Sequence, residues 1–198
     1  MPKRTAEDAA KTRADILDQA KILFAEQGYA GTSAREISAA AGVTVGAMFH
    51  HFDSKLALFQ QVFESLELEM DARAKAASKP GQGLDALETF LAGVRISLEF
   101  AEQRDFHRIV FVEAPAVFGE DKWREVDARL GLKTVMAGAR ALMAGGLLAE
   151  QPVKPIAILL MGAMNAAGFA LARGEDAVDK DALINALRLL IIGIQRPS

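Results

Sequence analysis

The sequence predicts an all-α protein, and three observations support this fold class. Apolar residues recur at three- and four-residue steps along most of the chain, as they do on one face of a helix. The alternation with a period of two that would indicate strands is absent. Several helical stretches begin at a Ser or Thr cap and end at a glycine. The 198 residues, of which 51% are hydrophobic, suffice for one large domain or two small ones.

Three helices are predicted near the amino terminus. The first has one apolar face and stops at Gly28; that face carries Ile16, Leu17, Ala20, Leu23 and Phe24. The second begins with a capping box, Ser33-Ala34-Arg35-Glu36, in which the hydroxyl and the carboxylate satisfy free backbone N–H groups reciprocally. It ends at Gly42, after which Thr44 caps a third helix that extends to Phe52.

A fourth helix, capped by Asp53 or Ser54, is predicted to continue to about residue 77. Its apolar stripe consists of Leu56, Phe59, Phe63, Leu66 and Met70. The turn-rich stretch "SKPGQG" at 78–83 then interrupts the helical pattern. Further helical patterns cover about 84–104, 105–118, 121–146, 154–173 and 179–195. We expect an amino-terminal domain over residues 1–56, to which the start of the fourth helix contributes, and a second helical domain over residues 57–198.

The second and third helices are predicted to form a helix-turn-helix. Gly42 can adopt the positive φ that a sharp turn requires, and the apolar side chains that then pack inward against Leu23 and Phe24 are Ile37, Val43, Met48 and Phe52. The small residues at the start of the third helix would let its backbone lie deep in a DNA major groove. Tight glycine turns also occur in other small helical bundles, so the spacing alone leaves that alternative open.

Charge and cysteine content restrict the classes of function. The chain has no cysteine, which excludes disulfides, thiolate metal sites and cysteine nucleophiles. Residues 1–56 hold seven basic and seven acidic residues, so a polyanion would be held by a few placed contacts and not by bulk charge. The charged start lacks the apolar segment of a secretory signal, which predicts a cytoplasmic protein.

The stretch "GYAGTSAREISAAAGVTVGAMFHHFDSKLALF" resembles the DNA-binding segment of the TetR family of transcriptional regulators. The similarity runs from about Ile16 to Phe63, and the aromatic-His-His-Phe sequence followed by Ser-Lys is specific to this family. More loosely, "FVEAPAVFG", Trp123 and "LLMGAMNAAGFALARG" resemble a subset of its regulatory domains. The resemblance implies a homodimeric repressor whose third helices enter successive major grooves of a near-palindromic operator.

The resemblance also implies which residues meet double-stranded DNA. By position, Val45, Gly46 and Ala47 form the base-facing side. The phosphate or groove contacts are expected at Thr32, Ser33, Thr44, Phe49, His50 and Lys55, whereas His51 and Phe52 are expected to be structural. Two departures are expected to weaken binding: Phe49 stands where the family usually has Tyr, and Val45 where many members have Lys or Arg. We therefore expect modest operator affinity and a shallow dependence on salt.

Residues 155–172 carry no charge and are just long enough to span a membrane. The segment is rich in Ala and Gly and has Asn165 in its middle, which favours a helix buried on all sides in a protein without a membrane. A dimer supplies the two neighbours that such a helix needs. The small residues that permit close approach are Gly162, Ala163, Ala166, Ala167 and Ala170, and residues 182–194 would complete a four-helix bundle across a two-fold axis.

Polar and aromatic residues in the second domain predict a pocket for a small, largely hydrophobic effector. The candidate residues are Arg95, Phe100, His107, Phe111, Glu113, Phe118, Trp123, Met161, Met164, Asn165 and Phe169. Each one has an alternative interpretation as a satisfied core residue or an ion pair. We expect no cofactor and no metal, because adjacent His50 and His51 point about 100° apart on a helix and no nucleotide-binding or zinc motif is present. The competing hypothesis is a helical dimeric enzyme or binding module without DNA affinity.

Overall fold

The computed structural model describes residues 6–79, 84–174 and 178–193, and this part of the chain contains helices and no strand, which confirms the all-α prediction. The helices near the amino terminus are α1 (Ala6–Gly31), α2 (Ala34–Ala40), α3 (Val45–His51) and α4 (Lys55–Ala77). They are followed by α5 (Ala86–Glu102), α6 (Arg104–Phe106), a π-helix (His107–Glu113) and α7 (Ala114–Phe118). The last three are α8 (Glu120–Ala144), α9 (Val153–Arg173) and α10 (Lys180–Gly193). Part of the "SKPGQG" stretch, residues 80–83, lies outside the described residues.

The chain folds into two compact units. The first unit comprises residues 1–66 together with 104–119, and the second comprises 67–103 together with 120–198. Helix α4 contributes to both, because its residues up to Leu66 belong to the first unit and those from Glu67 to the second. The predicted functional division at residue 56 does not coincide with these units and stays a prediction.

The caps of the first unit follow from short-range hydrogen bonds. Ser33 Oγ accepts the Glu36 N–H (3.2 Å) while Glu36 Oε2 accepts the Ser33 N–H (2.8 Å), which confirms the predicted capping box at the start of α2. Thr44 Oγ1 accepts the Ala47 N–H at 3.1 Å and so caps α3 as expected. Ser54 caps α4, since its hydroxyl oxygen accepts the Ala57 N–H at 3.0 Å.

Two glycines with positive φ shape the chain around α2. Gly42 has a φ of +67°, as the predicted sharp turn between α2 and α3 requires. Gly28 has a φ of +74° and breaks the helical path of α1 three residues before that helix ends at Gly31. The predicted stop at Gly28 is therefore a kink, after which one further turn leads to the cap of α2.

The core of the first unit joins α1 to the helix-turn-helix. Phe24 of α1, Ile37 of α2, Met48 of α3 and Phe52 are buried as predicted, whereas Val43 and Leu23 are half-buried. The α4 side chains buried in this unit are Leu58, Phe59, Val62, Phe63 and Leu66. The π-helix and α6 pack against α1, so residues 104–119 share this core.

The second unit is a helical bundle in which α9 packs against α5 and α8, and α10 packs against α5 and α9. Its core includes Phe90 and Leu98 of α5, Leu142 of α8, Leu160 of α9 and Ile191 of α10. Helix α9 is long and apolar enough to cross a membrane by length and composition alone, and one third of its apolar window is buried in the single chain. Core helices of proteins without a membrane pass the same test.

Candidate nucleic-acid interface

Helix α3 presents a surface of small and aromatic side chains. Val45 and Phe49 are 38% and 42% exposed, Gly46 and His50 are exposed, and Ala47 is half-buried. Met48 on the opposite side is fully buried, so the helix is held to its unit by that face. Because Gly46 and Ala47 lack bulky side chains, the backbone of the first turn is accessible to a large partner.

Thr44 combines an exposed position with an unused donor. Its hydroxyl oxygen accepts the Ala47 N–H, and no acceptor for its own proton is present among the described residues. A hydroxyl at the N-terminus of α3 is therefore free to donate to an anionic oxygen.

Three of the predicted DNA contacts have internal partners instead. Thr32 is only 1% exposed and its hydroxyl donates to the Gly28 carbonyl at 2.8 Å, so its side chain is not available to DNA and leaves the candidate set. Lys55 Nζ donates to the carbonyls of Tyr29 (2.8 Å) and Thr32 (2.9 Å). The exposed Ser33 hydroxyl donates to Glu36 Oε2 at 2.6 Å while it caps α2. The side chains of Lys55 and Ser33 thus bind groups at the start of α2, and a phosphate contact would be additional to these hydrogen bonds.

Arg35 is a candidate that the sequence-based prediction missed. It lies exposed in the first turn of α2 and has no ion pair among the described residues. A guanidinium there is suited to a phosphate contact. The available signal was the basic residue two positions after the Ser33 cap.

The two adjacent histidines show no sign of a metal site. Their ring centroids are 5.7 Å apart, His50 is exposed and His51 is half-buried. No group of three or more potential metal ligands occurs within residues 6–79, 84–174 and 178–193.

The predicted effector residues divide between the two units. The first unit contains His107, Phe111, Glu113 and Phe118. Glu113 accepts the Tyr29 N–H at 3.0 Å and the Arg108 Nε–H at 2.9 Å, while the Phe118 ring packs 5.3 Å from that of Phe59. These are contacts with the amino-terminal helices, and the assignment of Glu113 to the effector pocket stays a prediction.

The remaining seven candidates lie in the second unit and have varied surroundings. Arg95 is exposed and forms an ion pair with Asp181 (2.7 Å), so the structure places it on the surface and not in a cavity. Phe100 is buried beneath the Arg73 guanidinium, and Met161 belongs to the core. Trp123 and Phe169 pack with ring centroids 5.1 Å apart.

A cavity of about 330 Å³ lies between α5, α9 and α10. Among the candidates only Met164 lines it, and the other lining residues include Leu98, Ala167 and Leu187. All of the lining side chains are aliphatic or methionine, so the cavity suits an apolar ligand.

A buried group of carboxylates, which the sequence-based prediction also missed, lies in the second unit. Asp127 accepts a hydrogen bond from Asn165 at 2.6 Å, and Asp71 accepts from Thr134 and pairs with Lys75. Burial raises the pKa of Asp127 to about 6, against the opposing effect of the Asn165 hydrogen bond. Burial also raises the pKa of Glu67 well above its usual range, and the Asp127 and Asp71 charges raise it further.

Comparison with known families agrees with this geometry. Residues 16–62 match the family model described as bacterial regulatory proteins of the tetR family. Residues 87–194, more than half of the chain, match the model described as the tetracyclin repressor-like C-terminal domain.

The individual proteins that this chain resembles are also transcriptional regulators. A solved TetR-family transcriptional regulator from Pectobacterium atrosepticum is 34% identical, with a TM-score of 0.80 over 98% of this chain and 100% of its own. The HTH-type transcriptional regulator AcrR of Shigella flexneri is 39% identical over 59% of this chain and 58% of its own length. The HTH-type transcriptional repressor KstR2 of Rhodococcus jostii is 38% identical over 44% of this chain and 42% of its own length.

The curated matches thus span about half of each relative, whereas the structural match and the carboxy-terminal family model cover the larger part of this chain. Together with the capped α2–α3 pair and the exposed start of α3, they lead to one conclusion: the chain belongs to the TetR family of transcriptional regulators.

Proposed function

We propose that this protein is a cytoplasmic repressor that binds a near-palindromic operator as a homodimer and is released by a small, largely hydrophobic effector. The observation that carries the DNA-binding part is the exposed first turn of α3, where Thr44, Gly46 and Ala47 leave the backbone accessible above a buried Met48. A helix of this kind can approach base edges in a major groove. Repression is supported by the name of the Rhodococcus relative.

The dimer part is supported by the exposed apolar residues of α9 and α10. Leu159 of α9 is 69% exposed and Leu190 of α10 is 57% exposed, with Ile158 and Leu189 beside them in sequence. Large apolar side chains that are exposed on two neighbouring helices favour an interface with a partner. A second copy fits best, because an isologous contact between these helix pairs forms a four-helix bundle.

The effector part is supported by the 330 Å³ cavity, whose volume lies at the lower end of the range of small-molecule sites. Its lining offers no charge to a ligand. We therefore expect the effector to be small and apolar.

The DNA-binding part is tested by fluorescence anisotropy with duplexes from the region upstream of the protein's own gene. We expect saturable binding that is specific in competition with random DNA. His50→Ala is expected to weaken it about three- to tenfold, and Phe49→Tyr to strengthen it by a similar factor, because one phosphate hydrogen bond contributes about 1 kcal/mol. An enzyme or binding module without DNA affinity would show no specific binding, and both substitutions would be without effect.

The dimer part is tested by light scattering on Leu159→Glu and Leu189→Glu, two exposed positions that do not line the cavity. Each carboxylate would lie in the apolar interface, so we expect monomers and at least a tenfold loss of operator affinity. Leu68→Glu is the matched control, because Leu68 is a similarly exposed leucine on α4. A dimer that survives both α9 and α10 substitutions would place the interface elsewhere.

The effector part is tested by titrating the protein–operator complex with a panel of apolar small molecules. We expect at least one to release the DNA, and Met164→Glu to reduce this response because it introduces a charge into the apolar cavity. If no compound of a broad panel changes operator affinity, the chain is not a hydrophobic-ligand sensor.

A further inference from the structure

We infer that Glu113 is a positioning residue for DNA binding, through which operator affinity depends on the placement of residues 104–119. The inference rests on the proposed operator binding and adds a control point to it. Glu113 is far from α3 in sequence, and its hydrogen bonds join it to Tyr29 and Arg108, neither of which is expected to meet DNA. It acts instead on the backbone that leads into α2.

The first observation is the contact between Glu113 and the kink in α1. Its carboxylate accepts the Tyr29 N–H at 3.0 Å through Oε2, and its side chain is 14% exposed. A Cβ at Gly28 would lie 2.5 Å from Glu113 Oε1, so the carboxylate occupies space that only a glycine leaves free. Gly28, the residue before Tyr29, has a non-helical φ and ψ, so the helical path of α1 is interrupted at this point, and Glu113 binds the first N–H after the interruption.

The second observation is that a charged side chain also binds the backbone carbonyl of Tyr29. Lys55 Nζ donates to the Tyr29 carbonyl at 2.8 Å and lies 4.1 Å from the centroid of the Tyr29 ring. We call Glu113, Tyr29 and Lys55 the Tyr29 clamp. Both of its hydrogen bonds are charge-assisted, which makes them stronger and more directional than neutral ones.

The clamp lies immediately before the helix-turn-helix. Tyr29 is four residues before Ser33, the N-cap of α2. Lys55 Nζ also donates to the Thr32 carbonyl at 2.9 Å and so restrains the residue directly before this cap. The Tyr29 ring packs 5.1 Å from Phe59 of α4. A shift of the Tyr29 backbone would therefore be passed to α2 and, across the Gly42 turn, to α3.

The third observation concerns the segment that carries Glu113. Residues 107–113 form a π-helix, a rare form that is frequent at functional sites. Conversion to an α-helical register would turn the following residues by about 100°, one residue's rotation in a helix, and would remove the carboxylate from Tyr29. The segment is fixed to the first unit by the Lys21–Asp105 ion pair (2.8 Å) and by Phe118 against Phe59. Its register and position thus decide whether the clamp is closed.

The test measures operator affinity, hydrogen exchange and thermal stability on the full-length protein. We expect Glu113→Ala to lower operator affinity about tenfold and to accelerate amide exchange in peptides covering residues 29–51. Glu113→Gln keeps an oxygen acceptor for the Tyr29 N–H and is expected to restore most of the affinity. Arg108→Gln removes the other partner of Glu113 and is expected to stay close to wild type, because the Tyr29 hydrogen bond remains.

The matched control is Glu88→Ala, which removes an ion pair with Arg188 inside the second unit. We expect it to leave operator affinity and exchange at residues 29–51 unchanged, whatever its effect on the thermal midpoint. If Glu113→Ala has wild-type affinity and exchange, or if its losses merely follow a global loss of stability as in Glu88→Ala, the inference is wrong. Absence of specific binding by the wild type would instead overturn the proposed function and this inference together.

Discussion

At the scale of single residues, glycine occurs at positions 42 and 46, on either side of the start of α3, for different physical reasons. Gly42 has a φ of +67° and nothing within 4 Å of the position of a Cβ, so only its backbone conformation requires glycine. Gly46 lies in α3 with no positive φ, and the nearest atom to a Cβ would be Thr44 Oγ1 at 4.0 Å. Gly46 therefore costs helix stability without a steric need inside the chain, which is expected if an outside partner uses the space.

Alanine at the two positions should have opposite effects on stability. We expect Gly42→Ala to lower the free energy of unfolding by about 1–2 kcal/mol, the cost of a left-handed conformation for an L-residue. Gly46→Ala should raise it by up to about 1 kcal/mol, because alanine favours the helix, yet it should weaken operator binding by filling the groove-facing surface. Urea denaturation and fluorescence anisotropy measure the two effects. Equal stability changes in the two variants would contradict this assignment.

At the scale of elements, α4 changes the character of its buried face along its length. Phe59, Phe63 and Leu66 bury apolar surface in the first unit, whereas Glu67 and Asp71 are buried in the second. Glu67 lies four residues after Phe63, so it continues the same helical face. The charge of Glu67 interacts with those of Asp71 and of Asp127 in α8, and Asn165 of α9 donates a hydrogen bond to Asp127. The apolar face of α4 thus continues, after Leu66, with the buried acidic residues Glu67 and Asp71.

This carboxylate group predicts a stability that falls as the pH rises. Asp127 has a pKa of about 6 when folded and an ordinary pKa near 4 when unfolded, so the folded protein binds more protons between these values. The raised pKa of Glu67 acts in the same direction, while Lys75 offsets the charge at Asp71 only. The free energy of unfolding should therefore decrease as the pH passes from about 4 to 6 and beyond.

Asp127→Asn should reduce this pH dependence and raise the free energy of unfolding at pH 7 by about 1–3 kcal/mol, the equivalent of a shift of roughly two pKa units. The amide oxygen can still accept the Asn165 hydrogen bond. Urea denaturation at pH 4.5 and 7.5 provides the comparison, with Asp121→Asn on the exposed side of α8 as the control. A variant with wild-type pH dependence would show that Asp127 is not buried as a neutral acid.

At the scale of the whole molecule, there is no excess of positive charge, so DNA binding would depend on a few basic and polar residues at specific positions. The net charge is -3, and among the basic residues near the helix-turn-helix Lys55 already serves the Tyr29 clamp. Arg35 is an exposed cation, and the hydroxyl of Thr44 supplies a neutral donor. Among the described residues, the helix-turn-helix therefore offers few cations to DNA phosphates, and the release of counterions should contribute modestly to binding.

A shallow dependence of operator affinity on salt follows. We expect Val45→Lys to steepen the slope of log affinity against log salt by up to about one, because a cation added on the DNA-facing side of α3 would displace counterions when the operator binds. Leu68→Lys adds the same charge on an exposed position of α4 in the second unit and is expected to leave the slope unchanged. Anisotropy titrations between about 50 and 200 mM salt measure this slope. A slope for the wild type as steep as that of a strongly basic repressor would contradict the expected shallow salt dependence.

The sequence by itself determined α2 and α3, their caps and the turn between them, because the interactions that decide them lie within four residues, whereas the predicted helix at 105–118 is divided into α6, a π-helix and α7. Ser33 and Glu36, Thr44 and Ala47, and the positive φ of Gly42 are all local, so they were readable without the fold. The family resemblance extended this to the helix expected to meet DNA.

Only the tertiary structure decided how the long polar side chains are used. Lys55 and Glu113 looked like a phosphate contact and a pocket residue, yet both bind the backbone of Tyr29, which is 26 residues from one and 84 from the other. Likewise, the burial of Thr32 and of Glu67, and the membership of residues 104–119 in the first unit, depend on which segments meet in space. A hydrogen bond between distant segments leaves no periodic signal in sequence, since its partners are chosen by the packing of the apolar faces around them.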